Sequence, residues 1–127
     1  MDKTAVTLPG APPPTAPYSP AVRHGNLLFV SGQLGIDPAT AQPHADFEKQ
    51  VEGAIAGIRA LVEAAGGSLA DVVKTTCFLT VDMSRFSAFN EIYARHFTGI
   101  RPARSTFAVA ALPLGALIEI EAVAVLP

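Results

Sequence analysis

Two stretches of the chain have the hydrophobic period of an α-helix. Between residues 47 and 65 apolar residues recur at helical spacing, charged residues lie opposite them, and Gly66-Gly67 follows as an expected C-terminal stop. A second stretch follows Asp82, a candidate N-cap, and ends before Gly99. Its aromatic residues are spaced by three, four and four positions: Phe86, Phe89, Tyr93 and Phe97. The pattern therefore predicts two amphipathic helices.

Strand-like segments surround these helices. They are 21–24 and 26–32 with a turn at Gly25-Asn26, then 71–81, and finally 103–110 and 117–125 joined through Leu112–Gly115. The segment 36–43 has turn chemistry. Six of the eleven prolines lie in the first twenty residues, so residues 1–17 are expected to form an extended, Pro-rich arm. The predicted fold class is α+β in a single domain, 1–127: one mixed β-sheet with two α-helices on one face, in the order ββ-α-β-α-ββ.

Alternation along the strands predicts which residues share a face of the sheet. The helix-facing set of the last strand is Ile118, Ile120, Ala122 and Ala124, and the opposite set is Glu119, Glu121, Val123 and Val125. In 71–81 one set is Val73, Thr75, Cys77, Leu79 and Val81, and the other includes Lys74, Thr76 and Phe78. Arg104 and Thr106 are expected on the face of Glu119 if their strand has the same pleat. Such a mixed face suits packing against other subunits, with its charges lining the clefts between them.

The spacing of Arg104 and Glu119 leaves their relation open. A hairpin turning near Leu112–Gly115 would put Arg104 opposite a residue near 123, with Glu119 about 13 Å away along the strand. The two charges would then share a site across a subunit boundary, or bracket a substrate with water between them. An Arg–Glu structural pair is the alternative without a catalytic role.

Composition narrows the classes of partner. Half of the residues are hydrophobic and 16% are charged, against about 25% in typical domains, which favours an oligomer. No apolar run approaches the length of a membrane span and the N-terminus lacks the apolar core of a signal peptide, so we expect a cytoplasmic protein without membrane contact. A net charge of −2 with scattered basic residues argues against nucleic acid.

The chain also lacks the usual patterns of cofactor chemistry. Its one cysteine, Cys77, suits a reducing compartment and is expected to be a small buried hydrophobe. His24, His44 and His96 do not have metal-ligand spacing, and GQLG at 32–35 is not a dinucleotide-binding loop. No metal and no cofactor is expected.

Six segments in order resemble one known family. They are APPPTAPYSPAV (11–22), LLFVSGQLGIDPAT (27–40), AAGGSLADVVKTTCFL (64–79), FNEIYARHF (89–97), PARST (102–106) and LPLGALIEIEAVAV (112–125). From about residue 9 to the C-terminus the chain resembles the Rid family, also called YjgF or reactive intermediate deaminase. The resemblance implies a homotrimer with a barrel-like centre and active sites at the subunit clefts. It also implies cofactor-independent hydrolysis of small 2-enamine and 2-imino acids to 2-keto acids and ammonia.

The resemblance also implies roles for individual residues. Arg104 matches the arginine that binds the substrate carboxylate, and Glu119 matches the glutamate that positions water. The further residues implied to bind substrate are Tyr18, Ser31, Gly32, Gln33, Asn90 and Thr106. Thr106 stands where many members have cysteine, and Ala16, Pro20 and Gly57 also depart from common family residues. These departures are compatible with a subgroup that has another substrate.

The residues fit this chemistry on their own terms, although other readings stay open. A planar guanidinium can bind a carboxylate through two parallel hydrogen bonds, and a carboxylate can orient water and move protons. Structural roles compete at several positions: Tyr18 could anchor the arm, Ser31–Gln33 could be a strand-ending turn, and Asn90 could make a helix-to-loop hydrogen bond. Alternative functions are a deaminase of another substrate such as 2-aminomuconate, a non-catalytic small-ligand-binding trimer, and an endoribonuclease, which the charge disfavours.

Overall fold

One mixed β-sheet of six strands is the centre of the computed structural model, which describes residues 2–127. Its strands are β1 (Thr4–Val6), β2 (Ala21–His24), β3 (Leu27–Gln33), β6 (Val72–Thr80), β7 (Ala103–Val109) and β8 (Ile118–Val125), and β4 (Ile36–Asp37) and β5 (Gln42–Pro43) form a separate small hairpin. The order across the sheet is β1-β2-β3-β8-β6-β7. The β6–β7 pair is parallel and the other described pairs are antiparallel. The predicted fold class is confirmed.

Two helices cover one face of this sheet. In α1 (Phe47–Ala64) the Asp46 side chain accepts a hydrogen bond from the Lys49 backbone N–H at 3.0 Å, which caps the first turn. The helix ends as predicted, because Gly66 adopts a positive φ of 93° and the N–H of Gly67 donates to the carbonyl of Val62. The apolar stripe of α1 is buried from Val51 to Val62, and Phe47 at its start is partly buried against the same core.

The second helix, α2 (Phe86–His96), starts later than predicted. Asp82 is not its N-cap, because its carboxylate accepts a hydrogen bond from the nearby Ser84 N–H in a local turn. A further turn bonds the N–H of Phe86 to the carbonyl of Met83 before the helix begins. The aromatic stripe packs inward as expected, with Phe89, Tyr93 and Phe97 buried.

The two faces of β8 have the predicted characters. The helix-facing set, Ile118, Ile120, Ala122 and Ala124, is buried, whereas Glu119, Glu121, Val123 and Val125 are half-buried or exposed. No described helix lies over the second face, on which Phe29 and Phe107 are also exposed. This face therefore carries an uncovered mixture of apolar and charged side chains.

Three details of the strands differ from the sequence expectations. The strands β7 and β8 do not form a hairpin, because β6 lies between them. The reason is that α2 carries the chain back to the starting end of β6, so the next strand pairs with β6 in parallel. Val73 is 46% exposed rather than inward-facing, since a register shift between Val72 and Lys74 puts Val72 in the core. The arm contains the strand β1, whose three residues are too few to show a strand pattern in the sequence.

Candidate active site

Arg104 lies on the helix-covered face of the sheet. It is opposite Thr75 in β6, and Thr75 is opposite Ala122 in β8. Directly opposed residues point to the same face, and Thr75 and Ala122 are both buried beneath the helices. The expectation that Arg104 and Thr106 share the face of Glu119 is therefore wrong. That expectation assumed a hairpin between β7 and β8, whereas β7 pairs in parallel with β6.

Side chains of α2 surround the Arg104 guanidinium, and we call this group the Arg104 cluster. Its central carbon lies 4.9 Å from the ring centroid of Tyr93, 5.4 Å from that of Phe89 and 5.7 Å from that of Phe86. One Nη donates to Asn90 Oδ1 at 2.8 Å. These contacts come from one helical face, because positions 86, 89, 90 and 93 are spaced by three and four residues. Asn90 therefore bonds to a strand residue rather than to a loop.

The Arg104 cluster provides a positive charge without a negative partner. Among residues 2–127, the ion pairs join His44 to Asp37, Arg95 to Glu48 and Glu52, and His96 to Glu52. Arg104 takes part in none of them. Aromatic faces and an amide oxygen orient the guanidinium without neutralising it, so it can still bind an anion.

Thr106 and Cys77 lie next to each other on the same face, in neighbouring strands. The Thr106 hydroxyl is buried, and within residues 2–127 no nitrogen or oxygen atom is its hydrogen-bond partner; the Cys77 thiol is the polar group beside it. Burial raises the pKa of the Cys77 thiol to about 11, although the positive charge of Arg104 acts in the opposite direction. Cys77 is therefore a neutral, buried thiol, and the expectation of a small buried side chain is confirmed.

The other predicted residues line a single cavity of about 720 Å³, here called the Glu119 cavity. They are Tyr18, Ser31, Gly32, Gln33 and Glu119. Glu119 is half-buried, and its pKa is raised above the ordinary value, first by burial and then by repulsion from Glu121. Gly32 borders the carboxylate so closely that a Cβ at this position would overlap it. Such a carboxylate retains a proton more readily than an exposed one, which suits proton transfer.

Hydrogen bonds join the N-terminal arm to β3 where both line the Glu119 cavity. The Ser31 hydroxyl donates to the carbonyl of Ser19 at 2.6 Å, and the Ser31 N–H donates to that of Pro20 at 2.9 Å. The hydroxyl of Ser31 thus holds the arm in place, and Tyr18 lies 58% exposed at the cavity. The alternation of β3 is interrupted between Val30 and Gln33, which brings Gly32 to Glu119.

Gln33 explains one departure from the family pattern. Its Nε2 donates to the carbonyl of Ser31 at 2.9 Å, and its side chain lies against Gly57 of α1. A Cβ on Gly57 would approach Gln33 Oε1 to 2.6 Å. The glycine at this position therefore makes room for the Gln33 side chain.

The Arg104 cluster and the Glu119 cavity lie on opposite faces of one chain. The register places Glu119 three positions along and two strands away from Arg104, so their Cα atoms are about 14 Å apart. The sheet itself separates the side chains. A direct Arg104–Glu119 ion pair within one chain is therefore excluded.

The aromatic surroundings of Arg104 are the part of the candidate site that the sequence did not predict. In the sequence, Phe86, Phe89 and Tyr93 indicate only an amphipathic helix. Their helical spacing was visible, but nothing local indicated which strand would pass beneath them.

Within residues 2–127 no group of three or more His, Cys, Asp or Glu side chains could hold a metal ion. The described helices also include none that is long and apolar enough to cross a membrane.

Known proteins are similar to nearly the whole chain. The family model described as Endoribonuclease L-PSP matches residues 9–126. A RutC family protein from Pyrococcus horikoshii is 44% identical over 123 residues, covering 96% of this chain and 97% of that protein. The chloroplastic Reactive Intermediate Deaminase A of Arabidopsis thaliana is 43% identical over 127 residues, covering 99% of this chain and 67% of that protein.

A solved structure agrees with these relatives. The crystal structure of Escherichia coli TdcF with bound serine has a TM-score of 0.88 and 35% sequence identity, covering 98% of this chain and 99% of that one. The family model and the curated relatives each span most of the sequence. The chain therefore belongs to the Rid family, which includes proteins named RutC and is described by the Endoribonuclease L-PSP model.

Proposed function

We propose that the protein is a hydrolytic deaminase that converts small 2-imino acids, and their 2-enamine tautomers, to 2-keto acids and ammonia. Membership of the Rid family supports a deaminase-type role, since Reactive Intermediate Deaminase A is among the relatives. One observation carries the proposal: the chain has both an Arg104 guanidinium without a carboxylate partner and a half-buried Glu119 with a raised pKa. A 2-imino acid offers a carboxylate to the first and an electrophilic carbon to the second.

The opposite placement of the two clusters supports a site shared by neighbouring copies. A small substrate cannot touch Arg104 and Glu119 of the same chain, because the sheet lies between them. In a closed ring of identical chains, each cleft would combine the Arg104 cluster of one copy with the Glu119 cavity of the next. The uncovered second face, with Phe29 and Phe107, supplies apolar surface for such an assembly. We therefore include a homotrimer in the proposal.

The proposed reaction uses these residues in separate roles. Arg104 binds the carboxylate, and Asn90 and the aromatic rings keep its guanidinium in a fixed orientation. Glu119 accepts a proton from water as the water oxygen bonds to the imine carbon and the π pair of C=N moves to nitrogen. The nitrogen then receives two protons, the one held by Glu119 and the one on the added hydroxyl group, and the C–N bond breaks as the hydroxyl oxygen forms C=O, which releases ammonia and the 2-keto acid.

This mechanism needs no thiol. Thr106 stands at the position where many family members have cysteine, and Cys77 is a neutral, buried thiol. Thr106 can instead offer its unpartnered hydroxyl beside the bound carboxylate. Within the proposal, Tyr18 and the 31–33 turn close the opposite side of the cleft.

A coupled reaction tests the proposal. The purified protein is added to a pyridoxal-phosphate threonine dehydratase, and the release of 2-ketobutyrate is followed. The protein should accelerate product release, whereas Arg104→Ala should not, although its molar mass by light scattering should match that of the native protein at about three times the 13.2 kDa of one chain. Equal acceleration by Arg104→Ala would contradict the role of Arg104, and a monomeric native protein would contradict the shared cleft.

A non-catalytic ligand-binding trimer is the second candidate. The observation in its favour is that TdcF, a similar structure, holds bound serine. Calorimetric titration with serine and with 2-ketobutyrate separates the two cases. Binding without any acceleration of imine hydrolysis would favour the binder and overturn the deaminase.

A further inference from the structure

The Glu119 cavity has two chemically different sides. Its polar side carries the carboxylate and the 31–33 turn. The lining also includes six apolar residues from the arm, from β3–β4 and from the loop before β8, which we call its apolar side: Pro12, Pro14, Leu34, Ile36, Pro113 and Leu114. Among the residues that line the cavity, Glu119 is the charged one. The cavity of about 720 Å³ is that of a single chain, and in the proposed assembly the Arg104 cluster of the next copy faces it, so the chemistry of its lining rather than its volume bears on the substrate.

Leu114 is the unusual residue on the apolar side. Its φ is 58°, a left-handed conformation that β-carbon-bearing residues seldom adopt, and it is followed by Gly115 at φ 70°. Its side chain is 58% exposed beside the cavity. A glycine would fit this backbone better, so neither burial in the core nor turn geometry accounts for a leucine there. Strained backbone of this kind is concentrated at functional sites.

We propose that this apolar side binds the side chain of the substrate, so the protein prefers 2-imino acids with bulky apolar side chains over those with a methyl group. The inference rests on the proposed deaminase function. With the imine carbon at Glu119, a larger side chain extends along Leu114, Pro113 and Ile36 and removes more apolar surface from water. A substrate with a second carboxylate would find no cation on this side and would be repelled by Glu119. That argues against 2-aminomuconate as the substrate.

The test compares the imines of leucine and alanine, each generated in situ by an L-amino-acid oxidase. These substrates differ by an isopropyl group, and hydrolysis is measured as loss of semicarbazide-trapped imine. We expect kcat/KM to be about tenfold or more higher for the leucine-derived imine. Leu114→Gly and Leu114→Asn both suit a positive φ, and both should lower this ratio several-fold. Ala41→Gly is the matched control, since Ala41 has the same φ of 58° in a turn outside the cavity and should leave the ratio unchanged.

Each alternative outcome is distinguishable. Equal or faster hydrolysis of the alanine-derived imine would overturn the inference while leaving the deaminase function intact. So would a ratio that Leu114→Gly and Leu114→Asn leave unchanged. A lower molar mass of the Leu114 variants would also overturn it, by assigning Leu114 to a contact between copies. Failure to hydrolyse either imine would overturn the proposed function itself, and this inference with it.

Discussion

Mixed oligomers of two inactive variants should recover activity if the site is shared between copies. Arg104→Ala removes the carboxylate-binding group, and loss of a charge-assisted hydrogen bond costs about 1.5–3 kcal/mol, or roughly ten- to a hundred-fold in kcat/KM. Glu119→Gln removes the proton acceptor. Homotrimers of either variant are therefore expected to retain at most about a tenth of native activity. The two chains are co-expressed with different tags and purified on both, so that every oligomer contains both variants.

The recovered activity follows from the ring geometry. A trimer with both variants has two chains of one kind and one of the other. In either composition, one of the three clefts takes Arg104 from a chain that keeps it and Glu119 from a neighbour that keeps it. Mixed trimers should therefore have about one third of native activity per trimer, well above either homotrimer.

A preparation of Arg104→Ala chains carrying the two tags is the control and should show no recovery. The assay is imine hydrolysis on samples whose molar mass is measured in parallel. A site within one chain would give no recovery, since every chain then lacks one of the two residues. Mixed trimers no more active than the homotrimers would refute the reasoning from the opposite faces of the sheet.

Three further predictions concern the surroundings of these residues. Asn90→Asp puts a carboxylate where Asn90 Oδ1 now accepts a 2.8 Å hydrogen bond from Arg104, so it should compete with the substrate carboxylate and raise KM about tenfold, with a smaller change in kcat. An unchanged KM in steady-state kinetics would contradict this competition for the guanidinium. Glu121→Gln removes one of the two causes that raise the pKa of Glu119, so the acid limb of the pH profile of kcat/KM should move to lower pH. If the acid limb does not move, the ionisation of Glu119 does not produce it. Gly32→Ala should displace the Glu119 carboxylate and lower kcat about a hundredfold with the fold retained by circular dichroism, whereas native kcat would show that the carboxylate position is unimportant.

Local patterns in the sequence were sufficient for most of the fold. Helical spacing predicted both helices, and Gly66-Gly67 marked the end of α1 because a positive φ favours glycine. Alternation predicted which residues of β8 face the helices, since a strand has a period of two regardless of its neighbours. The errors lie where a local signal had two structural meanings. Asp82 begins a turn rather than a helix, and a register shift moves Val73 outward.

For the candidate site too, the sequence determined some features and the tertiary structure determined others. Motifs in the sequence were sufficient to single out Arg104 and Glu119, because charged residues inside otherwise strand-like segments need a compensating partner. The sequence did not determine on which face Arg104 lies. That depends on β7 pairing in parallel with β6 instead of forming a hairpin with β8, and pairing between strands is a non-local choice. A strand's alternation fixes only the relative facing of its own residues, so tertiary structure alone placed Arg104 beneath α2 and Glu119 on the opposite face.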